Sequence, residues 1–127
     1  MTRAGDRDRS PRNWTRLGTL DGLGEPIVDQ VGIVQVAPGW PSIEWWIAGD
    51  DRWYFPAAEA TVRQSLHHNT PVVETRMRVK GGDVCLRTFA VTVPTATGVR
   101  DVVVAEVENT SGVPCGVAFA VRSTGVV

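Results

Sequence analysis

The stretch Ser42-Ile43-Glu44-Trp45-Trp46-Ile47-Ala48-Gly49-Asp50-Asp51-Arg52-Trp53-Tyr54-Phe55-Pro56 decides how the whole chain is interpreted. It holds three of the five tryptophans and the only tyrosine. Apolar side chains recur at every second position from Ile43 to Ile47, which is the period of a β-strand. Gly49-Asp50-Asp51 has the composition of a turn, and Arg52–Phe55 is a short second strand that Pro56 ends. The stretch therefore predicts two adjacent strands rich in aromatic rings.

The aromatic rings of this stretch allow two interpretations. The first strand carries one tryptophan on each face, and large rings need a packed core or a surface that stacks on another molecule. Burial in the core or in a domain interface is favoured, because that is the usual use of such rings. The alternative is a platform for sugar rings, whose C–H faces are flat and apolar. The candidate carbohydrate-binding or domain-interface residues are Trp45, Trp46, Asp50, Asp51, Arg52, Trp53 and Tyr54.

Strand patterns continue on both sides of the stretch. Pro71–Val79 alternates between apolar residues and charged ones, Gly81-Gly82-Asp83 predicts a hairpin turn, and the chain then runs back through Val84–Val93. In that returning strand Cys85, Phe89, Val91 and Val93 share one face. Val102–Val107 is nearly all apolar and predicts a central strand covered on both faces. Further strands are expected at 31–36 and 115–121, and the ambiguous segment 57–66 is read as a strand because its neighbours are strands. This spacing predicts an all-β fold, an antiparallel β-sandwich of the super-sandwich type.

Composition and charge narrow the function classes. A chain of 127 residues with 43% hydrophobic and 21% charged residues fits one globular domain. Its net charge is -1 and its acidic residues are interleaved with arginines, so the sequence predicts no positively charged surface that would attract nucleic acid or an anionic membrane. We expect a cytoplasmic protein, because no apolar segment of a secretory signal follows the first charged residues and no run approaches the ~20 apolar residues that span a bilayer. Cys85 and Cys115 are expected to be reduced and to pack as small hydrophobic residues.

The two ends of the chain suggest how the domain is organised. Residues 1–13 mix arginine and aspartate and predict a disordered charged tail, whereas 14–127 predict the β-sandwich domain. Val126-Val127 follows the turn-like Ser123-Thr124-Gly125 directly, which leaves apolar residues at a poorly closed end. We therefore expect a sandwich that is incomplete at its C-terminus and a chain that is the front part of a longer protein. A native mass close to 13.8 kDa would contradict this expectation.

Catalytic and metal-binding patterns are weak throughout the chain. Glu44, Asp50, Asp51 and Glu59 cluster near the tryptophans, as a glycosidase would require, but turn chemistry explains the aspartates equally well. His67-His68 is read as a polar loop, since adjacent side chains on a strand point to opposite faces. Gly18–Gly24 lacks the lysine and the spacing of phosphate-binding loops and is read as a flexible connection. We expect no catalytic residue, no metal and no cofactor.

Several motifs together resemble a known family. The run Trp14–Asp21, the pair Trp45-Trp46 with Asp50–Trp53, the segment Thr70–Val79 with Gly81–Asp83, and Val104–Ser111 resemble the N-terminal β-sandwich region of actinobacterial proteins related to six-hairpin glycosidases of the glucoamylase and glycogen-debranching type. The resemblance covers about Trp14 to Arg122. In such proteins the sandwich precedes an (α/α)₆ barrel that holds the catalytic acids. The resemblance therefore implies a supporting domain without catalytic residues of its own.

These observations lead to one expected function and two alternatives. The chain is expected to be the non-catalytic N-terminal module of a glycoside hydrolase-like protein, and its partner is a C-terminal (α/α)₆-type domain or a separate chain. One alternative is a free-standing carbohydrate-binding module that holds α-glucan or another carbohydrate on Trp46 and Trp53. The other is a protein-interaction domain that docks through its aromatic face. Neither nucleic acid nor a membrane is expected as a partner.

Overall fold

The fold consists of two antiparallel sheets, as a computed structural model that describes residues 14–18, 26–37 and 39–123 shows. This confirms the predicted all-β, sandwich-like fold. The predicted tail at 1–13 and the apolar end at 126–127 lie outside the described residues, as does most of the Gly18–Gly24 connection. The strands of the described residues are β1 (Thr15–Arg16), β2 (Ile27–Val28), β3 (Val34–Gln35), β4 (Ser42–Ala48), β5 (Trp53–Tyr54), β6 (Arg63–Leu66), β7 (Val73–Val79), β8 (Gly82–Thr95), β9 (Gly98–Asn109) and β10 (Gly116–Arg122).

Strand β4 organises the first sheet, called sheet A, whose order is β1-β2-β3-β4-β10. One edge of β4 pairs with β10 over all seven residues, from Ser42↔Arg122 to Ala48↔Gly116. A strand has only two edges, so β3 and β5 share the other one. Strand β3 takes its first two residues and β5 its last two. The aromatic strand predicted at Ser42–Ala48 is confirmed with its bounds.

The second sheet, sheet B, has the order β6-β7-β8-β9. The predicted hairpin between β7 and β8 is confirmed. Val79 pairs with Gly82, so the turn residues are Lys80 and Gly81. The expected strand over 57–66 forms only at Arg63–Leu66, because a 3₁₀ helix occupies Pro56–Ala58. A second 3₁₀ helix, His67–Asn69, stands where the sequence predicted a polar loop.

Strand β8 shows which of its two faces is turned towards the core. Val73, Met77 and Val79 of β7 point into the core as their alternation predicted. In β8, however, the inward residues are Val84, Leu86 and Thr88, which pair with inward residues of β7. Cys85, Phe89, Val91 and Val93 do share one face, but it is the outer face. Apolar residues occupy both faces of this strand, so its alternation could not tell which face is the inner one.

Strand β9 corrects an expectation from the sequence. The apolar run Val102–Val107 predicted a central strand covered on both faces, but among the described residues β9 pairs with β8 alone and forms one edge of sheet B. Its side chains are exposed or half-buried along the whole strand. Apolar density is a local property of the sequence, whereas the position of a strand within a sheet depends on pairings that are distant in sequence.

The core consists of two buried clusters, which contact different levels of the strands of sheet B. One buried cluster joins Trp45 and Ile47 of β4 to Met77, Val84 and Leu86, near the β7–β8 turn. The other joins Val28 of β2 and Val34 of β3 to Val73, with Ala90 and Val103 packed against them, farther from that turn. Successive strands of sheet A therefore lie over successive levels of the strands of sheet B, which is a crossed rather than an aligned packing. No residue of strand β10 (Gly116–Arg122) belongs to either of these two clusters.

The loop between β2 and β3 locks the core tryptophan. Asp29, itself buried, accepts hydrogen bonds from the backbone N–H groups of Val31 (3.0 Å) and Ile33 (2.9 Å). These two hydrogen bonds fix the loop in a conformation in which the indole N–H of Trp45 donates a hydrogen bond to the Val31 carbonyl at 2.9 Å. Gly32 has a φ of +86°, and a Cβ placed there would lie 2.7 Å from Trp45 Nε1. Only glycine fits this close, left-handed position without displacement of the ring.

The two cysteines are free thiols, and within the described part of the chain no helix has the length and apolar character of a bilayer-spanning segment. Cys85 is buried and Cys115 is half-buried against the cluster around Trp45. Both therefore pack as small apolar side chains in the way that the sequence predicted.

Candidate functional site

Three aromatic rings lie together on the outer face of sheet A, and we call Trp46, Trp53 and Phe55 the aromatic patch. Trp46 is half-buried, whereas Trp53 and Phe55 are exposed. Trp46 lies opposite Ala118 of β10, and Trp53 lies opposite Ala48, so both side chains share the face turned away from the core. Trp53 is 48% exposed and Phe55 is 41% exposed. Apolar rings with this exposure on one face mark a surface that another molecule can cover.

The rings of the aromatic patch hold one another in place. Phe55 contacts Trp46 edge to face, with 5.3 Å between the centroids, and its ring lies nearly parallel to that of Trp53, at 6.3 Å and 15°. Such offset and edge contacts are the favoured geometries of aromatic pairs. Because the rings are already fixed by their neighbours, a molecule that binds them loses little side-chain entropy in doing so.

Two of the seven candidate residues belong to the core instead. Trp45 is 1% exposed and Tyr54 is 4% exposed, on the face of sheet A opposite to the aromatic patch. They cannot contact a ligand at the surface. The sequence placed a tryptophan on each face of β4, and the structure assigns the inner face to Trp45 and the outer one to Trp46.

The remaining candidates, Asp50, Asp51 and Arg52, form the turn between β4 and β5. The Tyr54 hydroxyl lies 2.8 and 2.9 Å from the two carboxylate oxygens of Asp51 and donates to that carboxylate. The same hydroxyl accepts the backbone N–H of Lys80 at 3.0 Å, so the turn is tied to the β7–β8 hairpin of sheet B. The hydrogen bond from Tyr54 lowers the pKa of Asp51, while burial and that bond raise the pKa of Tyr54. The turn thus links the two sheets.

Arg52 is also committed to partners within the chain. Its guanidinium pairs with the carboxylate of Glu59 at 2.6 and 3.3 Å, and its Cζ lies 3.8 Å from the centroid of the Tyr54 ring. The hydrogen bond to Glu59 raises the pKa of Arg52. Asp50 is more weakly held, 3.5 Å from Lys80 Nζ, with both side chains 58% exposed. The turn therefore forms a polar border beside the aromatic patch, in which Asp51 and Arg52 are held by hydrogen bonds to Tyr54 and Glu59.

A second cluster of charges lies on the outer face of sheet B. The Glu74 carboxylate is contacted by Arg76 Nε at 2.7 Å, His67 Nδ1 at 2.8 Å and Arg87 Nε at 3.1 Å. Burial alone would raise the pKa of Glu74, but the hydrogen bonds and charges of these partners outweigh it and lower the pKa to about 2. Burial, reinforced by the Glu74 charge, raises the pKa of the neighbouring Cys85 to about 11.

This charge cluster has the character of a structural ion network. A carboxylate with a pKa near 2 stays ionised at neutral pH and cannot donate a proton, and a thiol with a pKa near 11 stays protonated and is a weak nucleophile. Among the described residues, no three His, Cys, Asp or Glu side chains come together as a metal site requires. The cluster therefore fixes the outer face of sheet B and provides no reactive group.

One cleft of about 310 Å³ lies away from the aromatic patch, lined by Thr15, Gln64, Ser65, Leu66 and Val73. Its amide donor is already engaged, because Gln64 Nε2 donates to the Asp29 carbonyl at 2.6 Å and to Thr75 Oγ1 at 3.1 Å. The lining holds no titratable group. The aromatic patch is consequently the stronger candidate for function.

Phe55 is the member of the aromatic patch that was not among the sequence candidates. The signal that could have identified it is the two-residue period, since Trp53 and Phe55 are exposed on either side of the buried Tyr54. No protein-family model matches this chain, and neither a curated protein nor a solved structure matches it.

Proposed function

We propose that this chain is a non-catalytic β-sandwich module that docks against a partner domain through the aromatic patch. The observation that carries the proposal is the exposure of Trp53 and Phe55 at 48% and 41%, with both rings braced against each other on the outer face of a sheet. Preformed, exposed aromatic rings are typical of docking surfaces, where tryptophan and tyrosine supply most of the binding energy. The titratable groups beside the patch are engaged within the chain, which favours a binding role over a catalytic one.

The partner that we propose is an (α/α)₆-type barrel of a carbohydrate-active protein, in the same polypeptide or in a separate chain. This choice rests on the motif resemblance of Trp14 to Arg122 to the sandwich region of six-hairpin glycosidases. We place the complex in the cytoplasm, a compartment that keeps thiols such as Cys85 and Cys115 reduced.

Cross-linking and affinity purification from the source cells, followed by mass spectrometry, tests this proposal. We expect cross-links between this module and an (α/α)₆-type domain, and at least ~10-fold fewer of them with the W53A/F55A variant, because truncated aromatic anchors commonly cost about 2 kcal/mol or more. Trp40→Ala is the matched control, since Trp40 is 59% exposed but lies outside the aromatic patch. An equal yield of these cross-links with W53A/F55A, or the absence of cross-links to such a domain, would refute the proposal.

A carbohydrate-binding module is the second candidate, and the exposure of Trp53 and Phe55 on one face of sheet A favours it. Exposed aromatic rings can stack on the flat, apolar C–H faces of sugar rings. Titration with a soluble α-glucan, followed by tryptophan fluorescence, separates the two candidates. Saturable quenching that Trp53→Ala removes would support sugar binding, and an unchanged spectrum would leave the docking module as the better account.

A further inference from the structure

Strand β10 has a free edge without the features that protect edge strands. It pairs with β4 along its full length in an unbroken register, and its other edge has no partner within the described residues. Residues 116–121 read Gly-Val-Ala-Phe-Ala-Val, so they contain no charge and no proline, and the only charged residue of the strand is Arg122 at its end. Monomeric proteins usually protect such edges with charges, proline or bulges.

The other long edge strand of the fold is protected in this way. Strand β9 carries Arg100, Asp101, Glu106 and Glu108 along its length. The contrast within one molecule indicates that the edge of β10 is reserved for pairing, since an unprotected edge is a template for another strand.

The inward face of β10 is also uncovered, and we call Val117, Phe119 and Val121 the β10 ridge. These side chains lie opposite Ile47, Trp45 and Ile43, so they point to the core side of sheet A. They are nevertheless 45%, 50% and 69% exposed. Their exposure fits the composition of the core, because neither buried cluster between the sheets includes a residue of β10.

From these features we infer that β10 pairs with β10 of a second copy of this chain, antiparallel and about a two-fold axis at Phe119. In that register Phe119 faces its own copy, Val117 faces Val121, and all three positions stay on one face of a continuous sheet. A pairing shifted by one residue would turn the two ridges to opposite faces. The contact is isologous and therefore closes as a dimer.

The sequence of β10 supports a second copy as the occupant, because Val117-Ala118-Phe119-Ala120-Val121 reads the same in both directions and therefore matches itself in an antiparallel pair. The two Arg122 residues would lie at opposite ends of the paired strands, about 20 Å apart. Each is already neutralised within its own chain, because Arg122 Nε lies 2.6 Å from the Glu44 carboxylate, so the paired strands bring no like charges together. The inference does not depend on what the aromatic patch binds.

Sedimentation velocity over a range of about 1 to 500 µM tests the dimer, because one strand pair covers less than the roughly 800 Å² per partner of a standard interface and predicts a micromolar dissociation constant. We expect the wild-type protein to change from monomer to dimer within this range. The V117K/V121K variant places lysines directly opposite each other in the proposed register and should weaken association at least ~10-fold. The V117K/V121E variant instead places opposite charges across the pair and should restore most of the association.

The comparison of these two variants tests the register as well as the surface. Val117 and Val121 are exposed in the monomer, so both substitutions should leave the circular dichroism spectrum unchanged; V121K alone serves if a double variant is unstable. A wild-type protein that stays monomeric throughout the range would overturn the inference. So would a V117K/V121K dimer as tight as the wild type, or a V117K/V121E variant that associates no better than V117K/V121K.

Discussion

Gly32→Ala should destabilise the fold by about 3 kcal/mol or more, and the structure shows where this cost arises. The φ of +86° at Gly32 costs an L-residue about 1–2 kcal/mol. The new methyl group would lie 2.7 Å from Trp45 Nε1 and 2.9 Å from Leu86 Cδ2, and overpacking of this kind costs about 1–3 kcal/mol. If the indole moves away, its 2.9 Å hydrogen bond to the Val31 carbonyl is lost, which costs about 1–3 kcal/mol for a buried donor.

Urea unfolding followed by tryptophan fluorescence measures this effect, with Gly39→Ala as the matched control. Gly39 has a similar φ of +78°, but a Cβ there would have nothing within 4 Å, so only the backbone cost of about 1–2 kcal/mol applies. With a slope of about 1–2 kcal/mol per molar urea, the additional cost of about 1–3 kcal/mol from the close contacts should place the midpoint of Gly32→Ala about 0.5–3 M below that of Gly39→Ala. If the two variants unfold at the same midpoint, the close approach of the loop to Trp45 does not stabilise the fold and the reasoning is wrong.

Three further effects follow from the polar groups. The folded pKa of Glu74 (about 2) lies below its ordinary value of 4.5, so its ion pairs stabilise the fold above pH 4.5 and this stabilisation is lost as the pH falls towards 2. The urea midpoint should therefore be lower at pH 3 than at pH 6. The Glu74→Gln variant should unfold at a lower urea concentration than the wild type at pH 6, and its midpoint should change less between pH 6 and pH 3. In the native protein, Cys115 should react with a thiol reagent at pH 8 well before Cys85, because Cys85 is buried and has a pKa of about 11. Equal reaction rates of the two cysteines would contradict this prediction. Tyr54→Phe should cost about 1–2 kcal/mol in urea unfolding, since it removes the hydroxyl that bonds to Asp51 and to the β7–β8 turn; Asp51→Asn should cost less, because an amide oxygen can still accept that bond.

Local patterns predicted the strands, whereas the arrangement of the strands required the structure. The bounds of β4 follow from the alternation within Ser42–Ala48 and from the turn at Gly49, both of which are encoded by neighbouring residues. The hairpin between β7 and β8 was likewise visible in the glycines near Asp83. The edge position of β9 was not, because Val102–Val107 has the composition of a central strand and nothing local reports how many partners a strand has.

The candidate site was predicted in the same partial way. Alternation showed that Trp45 and Trp46 lie on opposite faces of a strand, but the choice of the buried face depends on the Val31 carbonyl and on Leu86, far away in the sequence. Asp50 and Asp51 were correctly placed in a turn, whereas Arg52, which was expected to begin the next strand, belongs to that turn as well. Within the turn, Asp51 bonds to Tyr54 and Arg52 bonds to Glu59. Phe55 was not predicted, although it lies two residues after Trp53 and a two-residue period places both on the same face.

The pairing of β4 with β10 has a consequence for synthesis on the ribosome. Trp45 meets its cross-strand neighbour Phe119 only after more than seventy further residues have been translated. Until then a nascent chain carries an aromatic strand with an open edge, while the hairpin of β7 and β8 can close locally within seconds of its emergence. We expect folding intermediates of this protein to be recognised by chaperones at Ser42–Ala48, and the last step of folding to be the arrival of β10.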